Sequence, residues 1–243
     1  MRNLLLLFML ALVPATAWSA GGGGDMMDPE VDPHDQASLQ RGAKLFANNC
    51  MACHEVSLMR YKRMADDLGM DEDLVEEYLI FKPDTQIHET MTNAMSDEDA
   101  EQWFGVPVPD LSLTARRQGP EYIYTFLNRF YVDEDSPTGY NNAVLKGTAM
   151  PHVLETLQGR QMPVYEEGHE GGTPVDFEVE EGTGRMSQAE YREATRDITN
   201  FLDYVAEPVK AERQRLGVWV LAFFAVFTVL AYFLKKEFWR DVH

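Results

Sequence analysis

Cysteine is nearly absent from this sequence. Of 243 residues only Cys50 and Cys53 carry a thiol. That excludes a framework of several disulfides and a structural zinc site built from two cysteine pairs. Basic residues are scarce too: 21 Lys and Arg face 40 Asp and Glu, a formal charge of −19. Phosphate binding needs a basic surface, so nucleic acid is excluded as a partner class. A strongly acidic body suits docking with a basic protein through long-range steering. The acids are clustered: seven lie between Asp66 and Glu77, and seven more between Gln161 and Gly184, where there is no Lys or Arg. No internal repeat is visible, and no βαβ alternation surrounds the cysteines.

Long apolar runs occur in two places. The first, Leu4 to Val13, follows Arg2 and precedes Pro14 and the small residues Ala15, Ala17, Ser19 and Ala20. Ten helical residues reach only about 15 Å, too short for a bilayer. A basic start, a short apolar stretch and a small-residue zone describe a secretory signal peptide. Residues 1–19 are assigned to it, with cleavage after Ala17 or Ser19. The second run, Leu216 to Leu234, has 19 residues without a charge. As a helix it covers about 28 Å, which matches a hydrocarbon core, and Trp219, Tyr232 and Trp239 stand where interfacial aromatics do.

The basic residues flanking this run are balanced, with Lys210, Arg213 and Arg215 before it and Lys235, Lys236 and Arg240 after it. The signal peptide breaks the tie. Residues 20–209 are then an exported, periplasmic domain, 210–234 a membrane anchor with its lead-in, and 235–243 a cytoplasmic tail. The expected location is the bacterial inner membrane, crossed once.

The body reads as mainly helix with long loops. Leu39, Gly42, Leu45 and Phe46 share a helical face that ends by Asn49. Leu58, Tyr61, Met64 and Leu68, then Leu74 to Ile80, continue the helical pattern. Ser96 with Asp99 marks a start that runs to Trp103 and Phe104. "VPVPDLS" (106–112) is an extended, proline-broken loop. Residues 120–131, with Tyr122, Ile123, Phe126, Leu127 and Phe130, look helical. From Gly139 to Gly184 turns dominate, and the alternation of Val175, Phe177 and Val179 marks a small hairpin. Ser187 and Glu190 form a capping box that opens a helix burying Ala194, Ile198, Phe201, Leu202 and Val205, stopped near Pro208.

The two cysteines lie in "CMACH", with His54 directly after Cys53. A redox dithiol needs a helix N-terminus to stabilise its thiolate, and here the helix precedes the cysteines. Zinc needs four ligands, yet His34, His88, His152, His169 and His243 are scattered singly. Two thiols at this spacing can instead add across the vinyl groups of a haem, with the next imidazole under the iron. For the other axial ligand, Met150 in "GTAMPHV" and Met162 in "RQMPVYE" each precede a proline that would stiffen the loop. Spacing leaves both open, together with His152.

"CMACH" with Tyr61 downstream, "PDLS" at 109–112, "MP" at 150–151 and "MSQAEYREATRDITNFLDYVAEP" at 186–208 together resemble the cytochrome c1 family, the haem subunits of the cytochrome bc1 complex. The resemblance implies a class I cytochrome c-like haem domain, mainly α. It implies one covalent haem c held by Cys50 and Cys53, with His54 and Met150 as iron ligands. Pro109 and Leu111 would line the haem edge, Arg116 would meet a propionate and Tyr122 would lie in the pocket; Arg117 is one residue away from that role.

Val108 and Glu55 depart from the family pattern, where proline and serine are common. The implied role is electron transfer from the Rieske iron–sulfur protein to a cytochrome c, beside cytochrome b in a dimeric complex, with no substrate bond made or broken by this chain. The alternative circuit is an anchored cytochrome c that serves a terminal oxidase or peroxidase.

Overall fold

Gly42 sets the central packing of the fold. A Cβ built there would stand 2.1 Å from the Asp197 carbonyl oxygen and 2.8 Å from Phe201 Cβ, so two helices cross where only a hydrogen fits. The first is α1 (Gln36–Asn49), started by the Asp35 carboxylate, which accepts from Ser38 N at 3.0 Å. The second is the helix Gln188–Ala206, whose Ser187–Glu190 capping box is present as expected. Both faces are apolar, with Leu39, Ala43 and Phe46 meeting Ile198, Phe201 and Leu202 in one core.

A buried polar staple fixes their register. Asp197, 2% exposed, accepts from Ser38 Oγ at 2.6 Å and from Arg41 Nε and Nη2 at 2.6 and 3.0 Å. Asn200 Nδ2 extends the network to Ser38 Oγ at 3.1 Å.

The computed structural model describes residues 26–166 and 174–241. The expected signal peptide, 1–19, lies outside them. After α1 come β1 (Val56–Arg60), α2 (Tyr61–Leu68), α3 (Glu72–Leu79), β2 (Thr90–Met91) and α4 (Asp97–Phe104). Then follow α5 (Thr114–Gln118), α6 (Pro120–Asn128), β3 (Phe130–Val132), β4 (Tyr140–Asn142) and α7 (Glu155–Gln158). The order ends with β5 (Gln161–Val164), β6 (Asp176–Val179), α8 (Gln188–Ala206) and α9 (Lys210–Phe238). Among the described residues the strands form three antiparallel pairs, β1–β2, β3–β4 and β5–β6.

Two expectations need correction. Leu58 belongs to β1, not to a helix, and is exposed. Its helical spacing to Tyr61 is overridden by the pairing of Val56 with Met91 and Arg60 with Thr90. Phe130 likewise leaves the helix after Asn128 and pairs with Asn142 in β3–β4. The hairpin foreseen at 175–179 is present as β6, and its partner β5 carries Met162 opposite Glu178.

Among the described residues α9 is long and apolar enough to cross a membrane, and it buries no residue against the body. At 29 residues it is about 43 Å long, more than a hydrocarbon core needs, so its charged ends reach the interfaces. Its junction with α8 is tied by Lys210 to Asp203 and Arg213 to Glu207, at 2.6 and 2.7 Å.

A substitution tests the crossing. Alanine is the better helix former by about 1 kcal/mol, yet Gly42→Ala should destabilise, because overpacking against backbone costs about 3 kcal/mol. The net of about 2 kcal/mol should lower Tm by about 4–8 °C for a domain of this size. A Tm within about 2 °C of the parent protein would show that the crossing yields.

Candidate functional site

α1 brings Cys50 to the core and leaves Cys53 part-buried beside it. Where the helix runs out, Cys50 N and Met51 N both donate to Phe46 O, and Cys53 N and His54 N both donate to Cys50 O. The turn is held from outside by Asn93, whose Nδ2 donates to Cys53 O at 2.7 Å. Burial pushes the Cys50 thiol up to about 12, with the neighbouring Cys53 adding to the shift, and burial also raises Cys53. A dithiol-exchange enzyme needs the opposite, a stabilised thiolate.

His54 Nδ1 lies 2.9 Å from the Pro109 carbonyl oxygen. A carbonyl can only accept, so Nδ1 carries the proton and Nε2 keeps its lone pair, the form a metal-bound imidazole needs. Burial lowers the His54 pKa, and the Pro109 contact offsets part of that.

The loop that supplies Pro109 is sewn to the "CMACH" turn. Leu111 N donates to Glu55 O at 2.8 Å, and Leu58 N donates to Ser112 Oγ at 3.1 Å. Asp110 accepts from Ser112 N at 2.6 Å and from the Ser57 hydroxyl. Burial pushes its carboxyl up, but hydrogen bonds from Ser112 and Ser57 outweigh burial and leave it below the usual range. Glu55 thus contributes its carbonyl, while its side chain has no role the structure explains.

A cavity of about 460 Å³ opens beside this turn, within the range of cofactor sites. Cys50, His54, Pro109, Leu111, Tyr122 and Met150 are on its wall. Cys53 lines an adjoining cleft of about 80 Å³, together with His54, Pro109 and Met150. A residue almost a hundred positions downstream therefore shares one space with the "CMACH" turn. The opposite wall comes from apolar faces of α6 and α8, with Phe126, Ile198 and Leu202. Ile198 and Leu202 are expected from sequence on the buried face of their helix and Phe126 in a helical stretch; the assembled fold turns all three to a cavity.

The other expected residues separate. Met162 is 41% exposed on β5 and is not on the cavity wall. Of the adjacent arginines, Arg117 is on the wall and Arg116 is not. Successive helix residues point about 100° apart, so the two face different ways; the Glu207 carboxyl is held below its usual range chiefly by the hydrogen bond from Arg213, with Arg116 a smaller coulombic contributor. Of the two, Arg117 is therefore the guanidinium placed at this cavity.

His152, the third ligand candidate, is also off the wall and only 5% exposed. Burial pushes its pKa down to about 4, against weaker opposition from Gln158 and Glu155.

The chemistry of the wall fits a haem c. Two thiols, an imidazole whose Nε2 keeps its lone pair and a thioether line two adjoining, mostly apolar spaces, the larger of which also has a guanidinium on its wall.

Residues 27–242 match the sequence model of the Cytochrome C1 family. This chain belongs to that family. It is 47% identical to cytochrome c1 of Allochromatium vinosum, across the whole of both chains. It is 40% identical to a Nitrosomonas europaea protein named ammonia monooxygenase gamma subunit, covering 98% of this chain and 97% of that one. It is also similar to a chain of a hyperthermophilic respiratory Complex III at 17% identity and TM-score 0.45, covering 100% of this chain and 96% of that one. As a family member the chain is an electron-transfer subunit of a respiratory bc1-type complex, and membership implies a haem c cofactor. With α9 it is a membrane-anchored member of that family.

Proposed function

We propose that this cytochrome c1 accepts one electron from the Rieske iron–sulfur protein and passes it to a cytochrome c, as part of a dimeric complex with cytochrome b. Taken alone the chain is a carrier and not an enzyme. One haem c is bound through thioethers at Cys50 and Cys53, with His54 and Met150 as iron ligands; when bound it supplies a one-electron iron couple. The observation that supports this reading is the presence of Cys50, His54 and Met150 on one cavity wall.

The chain's own residues orient and insulate that site. The Pro109 carbonyl fixes the imidazole tautomer. Pro109, Leu111 and Tyr122 bound the cavity with mainly apolar surface, which favours the less charged, reduced state. Arg117 is the residue available to a propionate, since a half-buried carboxylate needs a donor.

Residues 1–19 act as the signal peptide, 20–209 as the periplasmic haem domain, 210–234 as anchor with lead-in, and 235–243 as a cytoplasmic tail. The chain thus crosses the inner membrane once.

Affinity purification of the full chain from solubilised membranes tests the circuit. Cytochrome b and the Rieske subunit should co-purify, and haem staining on a denaturing gel should mark this chain's own band. Recovery with a terminal oxidase or peroxidase instead would assign the chain to the alternative circuit. A tag at the C-terminus should resist protease in intact spheroplasts, and its digestion there would invert the orientation.

A further inference from the structure

Met150 sits in a loop with no regular secondary structure, so something outside the loop must hold its sulfur in place. Weak ligands depend on such support, because the apparent affinity falls with the fraction of time the loop is in its binding conformation.

One end of the loop hangs from β4. Asn142 Oδ1 accepts from Val144 N at 2.9 Å, and Asn141 Oδ1 accepts from Gly147 N at 2.8 Å. The other end is held by aromatic packing. The His152 ring lies parallel to Phe130, with centroids 4.9 Å apart and planes 9° apart, and meets Tyr140 edge-on at 5.3 Å. Phe130 packs edge-on against Phe126 at 5.0 Å, and Phe126 stacks on Tyr122 at 6.1 Å. Tyr122 and Phe126 are themselves on the cavity wall. A continuous run of four rings thus leads from that wall to the residue two positions after Met150.

Neither ring nitrogen of His152 has a hydrogen-bond partner among the described residues. What the imidazole presents to its neighbours is its ring, stacked on Phe130 and edge-on to Tyr140. Pro151 limits the backbone between it and Met150.

Resting on the reading of Met150 as iron ligand, we propose that His152 is a positioning residue. Its ring, stacked on Phe130 and edge-on to Tyr140, pins the loop so that the Met150 sulfur faces the cavity. Sequence spacing made His152 a candidate ligand; the geometry assigns it the support of one.

The test uses the haem-loaded complex and four variants: His152→Ala, His152→Leu, His152→Phe and Met150→Leu. His152→Ala and His152→Leu should weaken the methionine–iron charge-transfer band and let carbon monoxide reach the reduced iron. They should also weaken the preference for the electron at least tenfold, about 59 mV for a one-electron couple. His152→Leu keeps volume and covers the case in which alanine fails to fold. His152→Phe keeps a flat ring and should restore the parent values.

Unchanged band, potential and carbon monoxide resistance in the alanine and leucine variants would overturn the proposal while leaving the ligand reading intact. So would a folded phenylalanine variant as impaired as alanine. If Met150→Leu changes none of these signals, the ligand reading fails and the positioning role fails with it.

Discussion

Replacing both Cys50 and Cys53 with serine should remove the covalent haem and, with it, most of this protein from the membrane. Haem staining at the chain's mass should vanish, and an immunoblot should show the chain strongly depleted. The first effect follows from losing both thioethers.

The second is a matter of magnitude. The cavity measures about 460 Å³ and is lined by Leu111, Ile123, Phe126, Ile198 and Leu202. At about 24 cal/mol per Å³ of residual cavity, leaving it unfilled would cost roughly 11 kcal/mol. The crevice opens to water, which makes that an upper figure, yet it rivals the whole stability of a domain, about 5–15 kcal/mol. On the proposed reading a haem in this cavity would be as much core as cofactor. Either single serine variant retains one thioether and should retain part of the stain. If the double variant accumulated at parental levels, the domain would hold its fold without the group, and the cavity argument would be wrong.

What could be read beforehand had local causes. The "CMACH" turn, the capping box at Ser187 and Glu190, the Ser96 start of α4 and the uncharged stretch of α9 each depend on residues within a few positions of one another. So do the apolar stripes of α1 and α8, and with them the central packing. The three strand pairs were mostly hidden, because each strand is only two to five residues long. Their bonds also cross long gaps, as between Val56 and Met91. Leu58 misled because its distance to Tyr61 is one helical turn, and an exposed strand leucine leaves no periodic trace.

The site was legible in part for the same reason. His54 announces itself by standing beside Cys53, whereas its orienter is a backbone carbonyl at Pro109, which no side-chain pattern can encode. Arg116 and Arg117 differ only in which way a five-residue helix turns. His152 gave no sign of burial, since Phe130 and Tyr140 reach it through tertiary packing alone.

Met150→Leu should give the largest change of function that leaves the fold standing. Leucine and methionine have similar volumes, so the substitution costs less than about 1.5 kcal/mol in packing, and what it removes is the sulfur lone pair. A methionine ligand favours reduced iron and raises the potential. Its loss should therefore lower the midpoint on the order of 100-fold in the reduction equilibrium, about 120 mV, abolish the methionine–iron band and open the reduced iron to carbon monoxide. Electron flow should then stall, because a donor above this chain in potential no longer finds a favourable acceptor.

Met162→Leu is the matched control. It removes the same atom, also ahead of a proline, from a residue on β5 that is 41% exposed and off the cavity wall, and it should alter neither potential nor spectrum. Were the two variants to exchange phenotypes, the loop carrying Met150 would have to leave the cavity and β5 would have to unpair from β6 to replace it. The register of Met162 opposite Glu178 and Pro163 opposite Phe177 makes that exchange the costlier arrangement, and the pair of potentials decides it directly.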